Sequence, residues 1–242
     1  MKRLLAAGSG PIFQVAKAFR GTEHGASHNP EFTMLEWYTP GEGHLDLVQA
    51  AAALLRDVTA AAGRPGALVR QGRRIDLDAN PEVLSVADAF RSHAGIDPAS
   101  LTGPDREARF SLILAEQVQP HLGVDRLTAL VEWPADMASL ARLRPGEPSV
   151  AERVEIYVAG IELANGFTEL TDAAEQRRRM ESERREREAL GLPELPFDER
   201  FLAALGKMPA AAGMALGVDR LVMLVAGLDD IRKAMAFPWE EA

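Results

Sequence analysis

Two arginines, an aromatic ring and a set of carboxylates stand in this chain where they could handle a nucleoside triphosphate. Arg20 lies in FRGTEHGASHNPEFTMLEWY at 19–38. Its guanidinium stays charged at any working pH and offers paired hydrogen bonds to phosphate oxygens. Phe32 follows the polar turn His28-Asn29-Pro30-Glu31, so a purine ring could lie on its face while groups of the turn read the base edge. Arg220, in GMALGVDRLVML at 213–224, could cover the other face of that ring by a cation–π contact. Glu162 and Glu169 bracket Asn165-Gly166 in GIELANGFTEL at 160–170. Seven positions apart on a regular strand they would face opposite ways, but Asn-Gly is a turn signal that would bring both acids onto one cavity. Paired acids suit Mg2+ bridging ATP phosphates, or the amine of a substrate; the plain alternative is a hairpin with solvated glutamates. The chemistry these groups fit is attack of a carboxylate on the α-phosphate of ATP, which needs charge neutralisation and in-line positioning.

The elements that must position them can be read coarsely. Ile12 to Phe19 and Phe32 to Tyr38 are apolar-rich runs around a polar loop, so the pattern predicts an antiparallel pair with the nucleotide-binding turn between them. Leu45 to Ala62 has helical apolar spacing and stops at Gly63. Leu68 to Leu77 reads as strand, Gln-Gly turn, strand; Ser85 opens a helix through Phe90, and Asp105 to Val118 reads as another. Thr128 to Trp133 is a strand ending at Pro134. Val150 to Ala159 and Ile161 to Ala164 alternate as strands against a core do. Asp172 with Glu175 forms a capping box for a charged helix stopped by Gly191, and Gly217 bends the chain into a last apolar helix with Arg220 at its start. Asp219 is expected to brace Arg220.

Composition bounds the rest. The chain has 242 residues, 47% of them hydrophobic, enough for one sizeable domain. It has no cysteine, which excludes disulfides and thiolate metal sites. The five histidines are scattered without zinc-ligand spacing. The N-terminus makes neither a signal peptide nor a membrane span, which points to the cytoplasm. A net charge of −9 offers nucleic acid no basic arm, and the arginines between 177 and 187 alternate with glutamates as on a solvated helix laced by i,i+4 pairs.

The three chemical segments resemble motif 2, the strand preceding motif 3, and motif 3 of class II aminoacyl-tRNA synthetases of the lysyl subgroup. HNPEFT and the NGF-containing glutamate strand carry the likeness. Within the subgroup, MKRLLAAGSGPIFQ at the start, the EWYTPG ending of motif 2, WPADMASLARL at 133–143 and the alanine of GMALGVDR resemble the ligases that attach lysine or (R)-β-lysine to elongation factor P. The resemblance implies one α+β catalytic domain over 1–242, a six- or seven-stranded antiparallel sheet flanked by helices, with a helical and hairpin insertion at about 66–125. It implies ATP as co-substrate with Mg2+, an aminoacyl-adenylate, elongation factor P rather than tRNA as acceptor, and a homodimer. Arg20 would stabilise the α-phosphate, with Gly21 and Thr22 beside it; Asn29 and Phe32 would hold adenine, and Arg220 would stack on it. Glu162, Leu163 and Gly217 would line the nucleotide, Glu162 and Glu169 would serve Mg2+, and Tyr38 and Glu169 would fix the amino acid over Ala215. Lysyl-tRNA synthetases usually carry glycine at the position of Ala215.

Two departures bear on these expectations. The family usually has glutamate at the position of Thr22, and a threonine hydroxyl cannot offset a cation. Relatives begin upstream with the helix and strand of motif 1 and a Ser-Pro-Glu segment that touches the amino acid, so this chain is expected to lack that region. A catalytic fragment of a lysyl-tRNA synthetase, or a non-catalytic module that keeps the fold for binding, are the alternative readings.

Overall fold

A computed structural model of the chain describes residues 1–21 and 24–241; Thr22 lies outside the described residues. In chain order the elements are α1 (Lys2–Ala6), β1 (Ile12–Phe19), β2 (Glu31–Pro40), α2 (His44–Ala61), β3 (Ala67–Arg70), β4 (Arg73–Asp76), β5 (Glu82–Ser85), α3 (Val86–Ala94), α4 (Arg106–Ile113), β6 (Thr128–Pro134), β7 (Leu143–Arg144), β8 (Glu147–Val158), β9 (Ile161–Thr168), α5 (Ala173–Ala189), α6 (Glu199–Leu205), β10 (Ala211–Gly217) and α7 (Val218–Ala226). Among the described residues an eight-stranded sheet runs β1-β2-β10-β9-β8-β6-β5, with β7 on β8. Neighbours are antiparallel except β5 and β6, which are parallel. The antiparallel sheet flanked by helices that the resemblance implies is present, with eight strands rather than six or seven and with β5 joined in parallel at its edge.

The long pair β1–β2 matches the sequence pattern, with Ile12 opposite Tyr38 and Ala18 opposite Phe32. Helix α2 buries Leu47, Val48, Ala51, Ala52 and Leu55 at helical spacing. With α7 it covers one face of the sheet, meeting Val154, Ile156 and Val158 of β8 and Met214 and Leu216 of β10. The opposite face is covered at one end by α3 and the chain around α4, where Phe90, Phe110 and Trp133 pack. Near β2, α1 and α6 bring Leu5, Leu205 and Met208 against Tyr38. Between these two covers, β2, β10 and β9 leave a trough.

The Asn165-Gly166 turn does not form. Both residues lie inside β9, Asn165 opposite Ala215 and Gly166 opposite Met214; the chain reverses instead at Ala159 and Gly160, which have φ of 55° and 72°. Gly166 is small because α2 passes close over it: a Cβ there would meet Leu47 Cδ1 at 2.8 Å and the Gly213 carbonyl oxygen at 2.9 Å. The two glutamates still reach one face, through a β-bulge. Across the β8–β9 pair, Ile156 lies opposite Ala164 and Tyr157 opposite Glu162, so Leu163 is an extra residue. That one-residue insertion reverses the alternation and puts Glu162, Asn165, Phe167 and Glu169 on the same side.

Gly166→Ala is expected to destabilise the fold by about 1–3 kcal/mol, because a backbone oxygen must move as well as Leu47. A urea unfolding midpoint equal to that of the parent chain would contradict this packing role.

Candidate active site

The trough floor is made of small residues. Gly213, Ala215 and Gly217 alternate along β10 toward the open face, flanked by Tyr38, Glu36 and Met34 of β2 and by Phe167 and Asn165 of β9. At one end they open into a cavity whose wall includes Arg20, Asn29, Phe32, Glu162, Leu163, Ala215, Gly217 and Arg220. Eight of the sequence-derived site residues therefore meet there. Gly21 is exposed and does not line this cavity. Tyr38 and Glu169 lie farther along the same face, about Gly213: a Cβ on Gly213 would come within 2.4 Å of the Tyr38 ring and 2.5 Å of Glu169 Oε1. The glycine is what lets that ring and carboxylate approach the floor.

The cationic end is held by backbone. The loop after β1 is closed by the Arg20 N–H donating to Pro30 O at 2.8 Å, and the Arg20 guanidinium sits 5.4 Å from the Phe32 ring centroid. Arg220 leaves the first turn of α7 and donates to Ser27 O at 3.1 Å, Glu162 O at 2.6 Å and His28 Nε2 at 2.7 Å. A guanidinium only donates, so His28 Nε2 accepts and its proton sits on Nδ1, facing Ser27 Oγ at 3.1 Å. Asp219 does not brace Arg220 as the sequence suggested. Its Oδ2 accepts from the Thr33 N–H at 2.5 Å, because successive residues on a helix point in different directions, and this ties α7 to β2. Asn29 Nδ2 donates to Glu31 O at 2.5 Å and its Oδ1 accepts from the Trp239 N–H at 3.0 Å, so its side chain braces the turn that faces the cavity.

A buried acid that sequence reasoning missed stands beside Glu162. Arg153, Glu155 and Tyr157 alternate on β8 with the core residues Val154, Ile156 and Val158. Glu155 accepts from Tyr157 Oη, from Arg153 Nη2 at 2.5 Å and from Asn165 Nδ2 at 3.4 Å. Arg153 is itself stacked 4.0 Å from the Trp133 ring centroid. Burial first, and then the charge of Glu162, push the Glu155 carboxyl up to about 7 against the pull of Arg153. Arg153, Glu155 and Tyr157 alternating with Val154, Ile156 and Val158 were the signal available in the sequence.

The other end is acidic. Tyr38 Oη donates to Glu36 Oε1 at 3.2 Å, and burial together with the charges of Glu169 and Glu36 holds the phenol above its usual range. Glu36, two residues from Tyr38 on the same strand, was legible by that spacing but not singled out. Glu169 is nearly fully buried and ion-paired with Lys2 Nζ at 2.5 Å. Glu162 and Glu169 thus share a face without sharing a position, one on the cavity beside Arg20 and Arg220 and the other held by Lys2. Among the described residues no three His, Asp or Glu side chains converge as a metal-binding group.

An antiparallel sheet with one face left open over a small-residue strand, cations at one end and buried acids at the other, is the catalytic-domain plan of class II synthetases. The chain belongs to that family: the model described as tRNA synthetases class II (D, K and N) matches residues 1–241. Among similar proteins, one from Proteus mirabilis (strain HI4320) is 44% identical over 258 residues, covering 98% of this chain and 74% of the relative. One from Klebsiella pneumoniae (strain 342) is 44% identical over 263 residues, covering 100% and 75%, and one from Edwardsiella ictaluri (strain 93-146) is 43% identical over 245 residues with the same coverage. All three carry the name elongation factor P (R)-β-lysine ligase. No helix among the described residues is long and apolar enough to cross a membrane.

The Lys2–Glu169 pair yields a pH-dependent expectation. Burial raises the Glu169 carboxyl while Lys2 lowers it. A raised carboxyl contributes stability that is complete below its unfolded value and is lost as pH rises through the folded one; Lys2 limits that loss by pairing with the ionised form. Lys2→Met is therefore expected to cost little at about pH 5 and about 3 kcal/mol at about pH 8. Equal destabilisation at both pH values in urea titrations would contradict the pairing.

Proposed function

We propose that this protein activates (R)-β-lysine or lysine with ATP and ligates it to a lysine side chain of elongation factor P. The observation that carries the reading is the polarity of the open sheet face: Arg20 and Arg220 at one end suit a triphosphate, and Glu36, Glu169 and Tyr38 at the other suit an amino acid bearing an additional ammonium group. The carboxylates of Glu36 and Glu169 outweigh the charge of Lys2, which pairs with Glu169, and favour a cationic group at that end. The names of the similar ligases supply the acceptor.

In this mechanism the substrate carboxylate oxygen bonds to the α-phosphorus of ATP, the α,β P–O bond breaks, and pyrophosphate departs. The ε-amine of the acceptor then attacks the acyl carbon of the adenylate and expels AMP. No side chain acts as a covalent nucleophile; the protein positions the reactants and stabilises charge. Arg20 bears on the α-phosphate. Phe32 and the Asn29 turn hold adenine, and Arg220 turns from its backbone acceptors to stack on the base. Leu163 and Gly217 border the nucleotide. Tyr38 and Glu169 fix the amino acid over Ala215.

Mg2+ entering with ATP fits Glu162 together with Glu155 better than Glu162 with Glu169, because Glu155 and Glu162 repel one another whereas Glu169 is paired with Lys2. The cation would neutralise phosphate charge and relieve that repulsion.

Acceptance of protein rather than tRNA agrees with the charge of the surface. Four of the six arginines of α5 are paired with acids: Arg177 with Glu199, Arg178 and Arg179 with Glu175, Arg184 with Glu194. The edge strand β1 leaves Phe13, Val15 and Phe19 exposed on the face opposite the trough, a surface suited to a second copy in a cytoplasmic homodimer.

Two substitutions test the assignment. Arg20→Ala is expected to lower (R)-β-lysine-dependent ATP–pyrophosphate exchange by about a hundred to a thousand fold, as loss of a preorganised charge-stabilising donor does; a rate near that of the parent would sink the role. Ala215→Gly is expected to shift the kcat/KM ratio toward α-lysine by roughly tenfold, the discrimination a single methyl contact supports. Unchanged discrimination would remove Ala215 from the pocket floor.

A further inference from the structure

Helix α1 has only five residues, yet it is anchored at the acidic end of the trough: Leu5 is buried with Tyr38, Leu205 and Met208. That anchorage brings Lys2, from the first turn of the helix, onto Glu169. The Lys2 ammonium lies 2.5 Å from Glu169 Oε2, with the two side chains 13% and 1% exposed. Among the described residues this is the one ion pair that Glu169 makes.

The backbone of Glu169 is fixed independently of this contact. Its N–H donates to Ala211 O at 2.9 Å, its chain bridges to Ala141, and the next N–H, of Leu170, donates to Leu140 O at 3.2 Å. What remains to be set is the direction of the carboxylate. Oε2 turns to α1, and Oε1 lies over the floor strand, 2.5 Å from the point where a Cβ on Gly213 would stand. The other ionisable groups facing this carboxylate are Glu36 and Tyr38 of β2, and neither supplies positive charge. A carboxylate buried this deeply beside a second acid favours its protonated form unless a cation stands at contact distance.

We propose that Lys2 is a positioning residue for the amino-acid substrate: it engages Glu169 Oε2 and directs Oε1, above Gly213, to accept from the substrate's distal ammonium. The inference rests on the reading of this end as the amino-acid site and adds to it a residue from α1. Lys2 does not touch the reacting atoms. Its contribution is the direction and charge state of the carboxylate that holds the substrate amine. Burial raises the Glu169 carboxyl, Lys2 draws it down, and Glu36 adds a smaller push upward. Without the Lys2 ammonium the carboxyl stays protonated to higher pH, and a neutral carboxyl is a poor partner for a cationic amine.

The test is the pH profile of (R)-β-lysine-dependent ATP–pyrophosphate exchange by the parent chain, Lys2→Met and Lys2→Arg, from about pH 6.5 to about pH 8.5. Lys2→Met is expected to raise the KM for (R)-β-lysine about tenfold or more at the lower pH and to approach the parent value at the higher one, with kcat and the KM for ATP near those of the parent. Lys2→Arg, which keeps a cation on the carboxylate, should restore the parent profile. Glu169→Gln with and without Lys2→Met keeps the test decisive if the unpaired carboxylate prevents folding, since that background buries no negative charge at residue 169; action through Glu169 predicts the same KM for the two. Parallel profiles for Lys2→Met and the parent, or a further rise in KM when Lys2→Met is added to Glu169→Gln, would overturn the positioning role. Tighter lysine binding by Lys2→Met at the lower pH would also overturn it, by making Lys2 a competitor for Glu169. A parent chain without lysine-dependent exchange would instead overturn the reading of the site on which the inference rests.

Discussion

The extra residue at Leu163 sets the phase of the polar face. Strand alternation has a period of two, so an insertion of one moves everything beyond it to the other side. With the bulge, Glu162 shares a face with Asn165 and Glu169, and the core side of β9 still presents Ala164 and Gly166 toward α2. A regular β9 would send either Glu162 or the Asn165–Glu169 set into the apolar layer under α2 and α7, where unpaired carboxylates are expensive. Core packing and site geometry therefore constrain the same residue, and Gly166 fixes how close α2 can come.

Electrostatics along the trough follow from that phasing. The floor strand contributes only Gly213, Ala215 and Gly217, so charge comes from its neighbours: Arg20 and Arg220 beyond one end, and Glu36 and Glu169 with Tyr38 at the other. Between them Glu155 is buried against Arg153, Tyr157 and Asn165. Its carboxyl is raised because that partial compensation does not match the cost of burial beside Glu162. Arg220 holds Glu162 O, Ser27 O and His28 at once. It is the physical link between the loop after β1 and the β8–β9 turn.

Much of this was legible in the sequence because the signals were local. The apolar runs of β1 and β2, the helical spacing of α2 with Gly63 after it, the Gln71-Gly72 turn, and the Ser85 and Asp172 caps all express preferences within a few residues. The residues on the cavity beside Arg20 and Arg220 were found through motif chemistry. What was missed depends on register. Asn-Gly is a turn signal only when both positions are free to take positive φ, and pairing with β8 and β10 on both sides of β9 overrides it. Asp219 was assigned to Arg220 by adjacency, whereas its partner Thr33 is remote in sequence. Glu155 and Lys2 acquire their meaning from contacts with elements far along the chain, which no local pattern announces.

The central claim is that one sheet face activates a lysine-like amino acid with ATP for transfer to a protein. The most direct measurement is (R)-β-lysine-dependent ATP–pyrophosphate exchange by this chain, followed by mass analysis of elongation factor P and, separately, of tRNA as acceptors. The account predicts exchange and a mass increase on one lysine of elongation factor P, with no charging of tRNA. Exchange followed by transfer to tRNA, or no exchange with either lysine isomer, would contradict it.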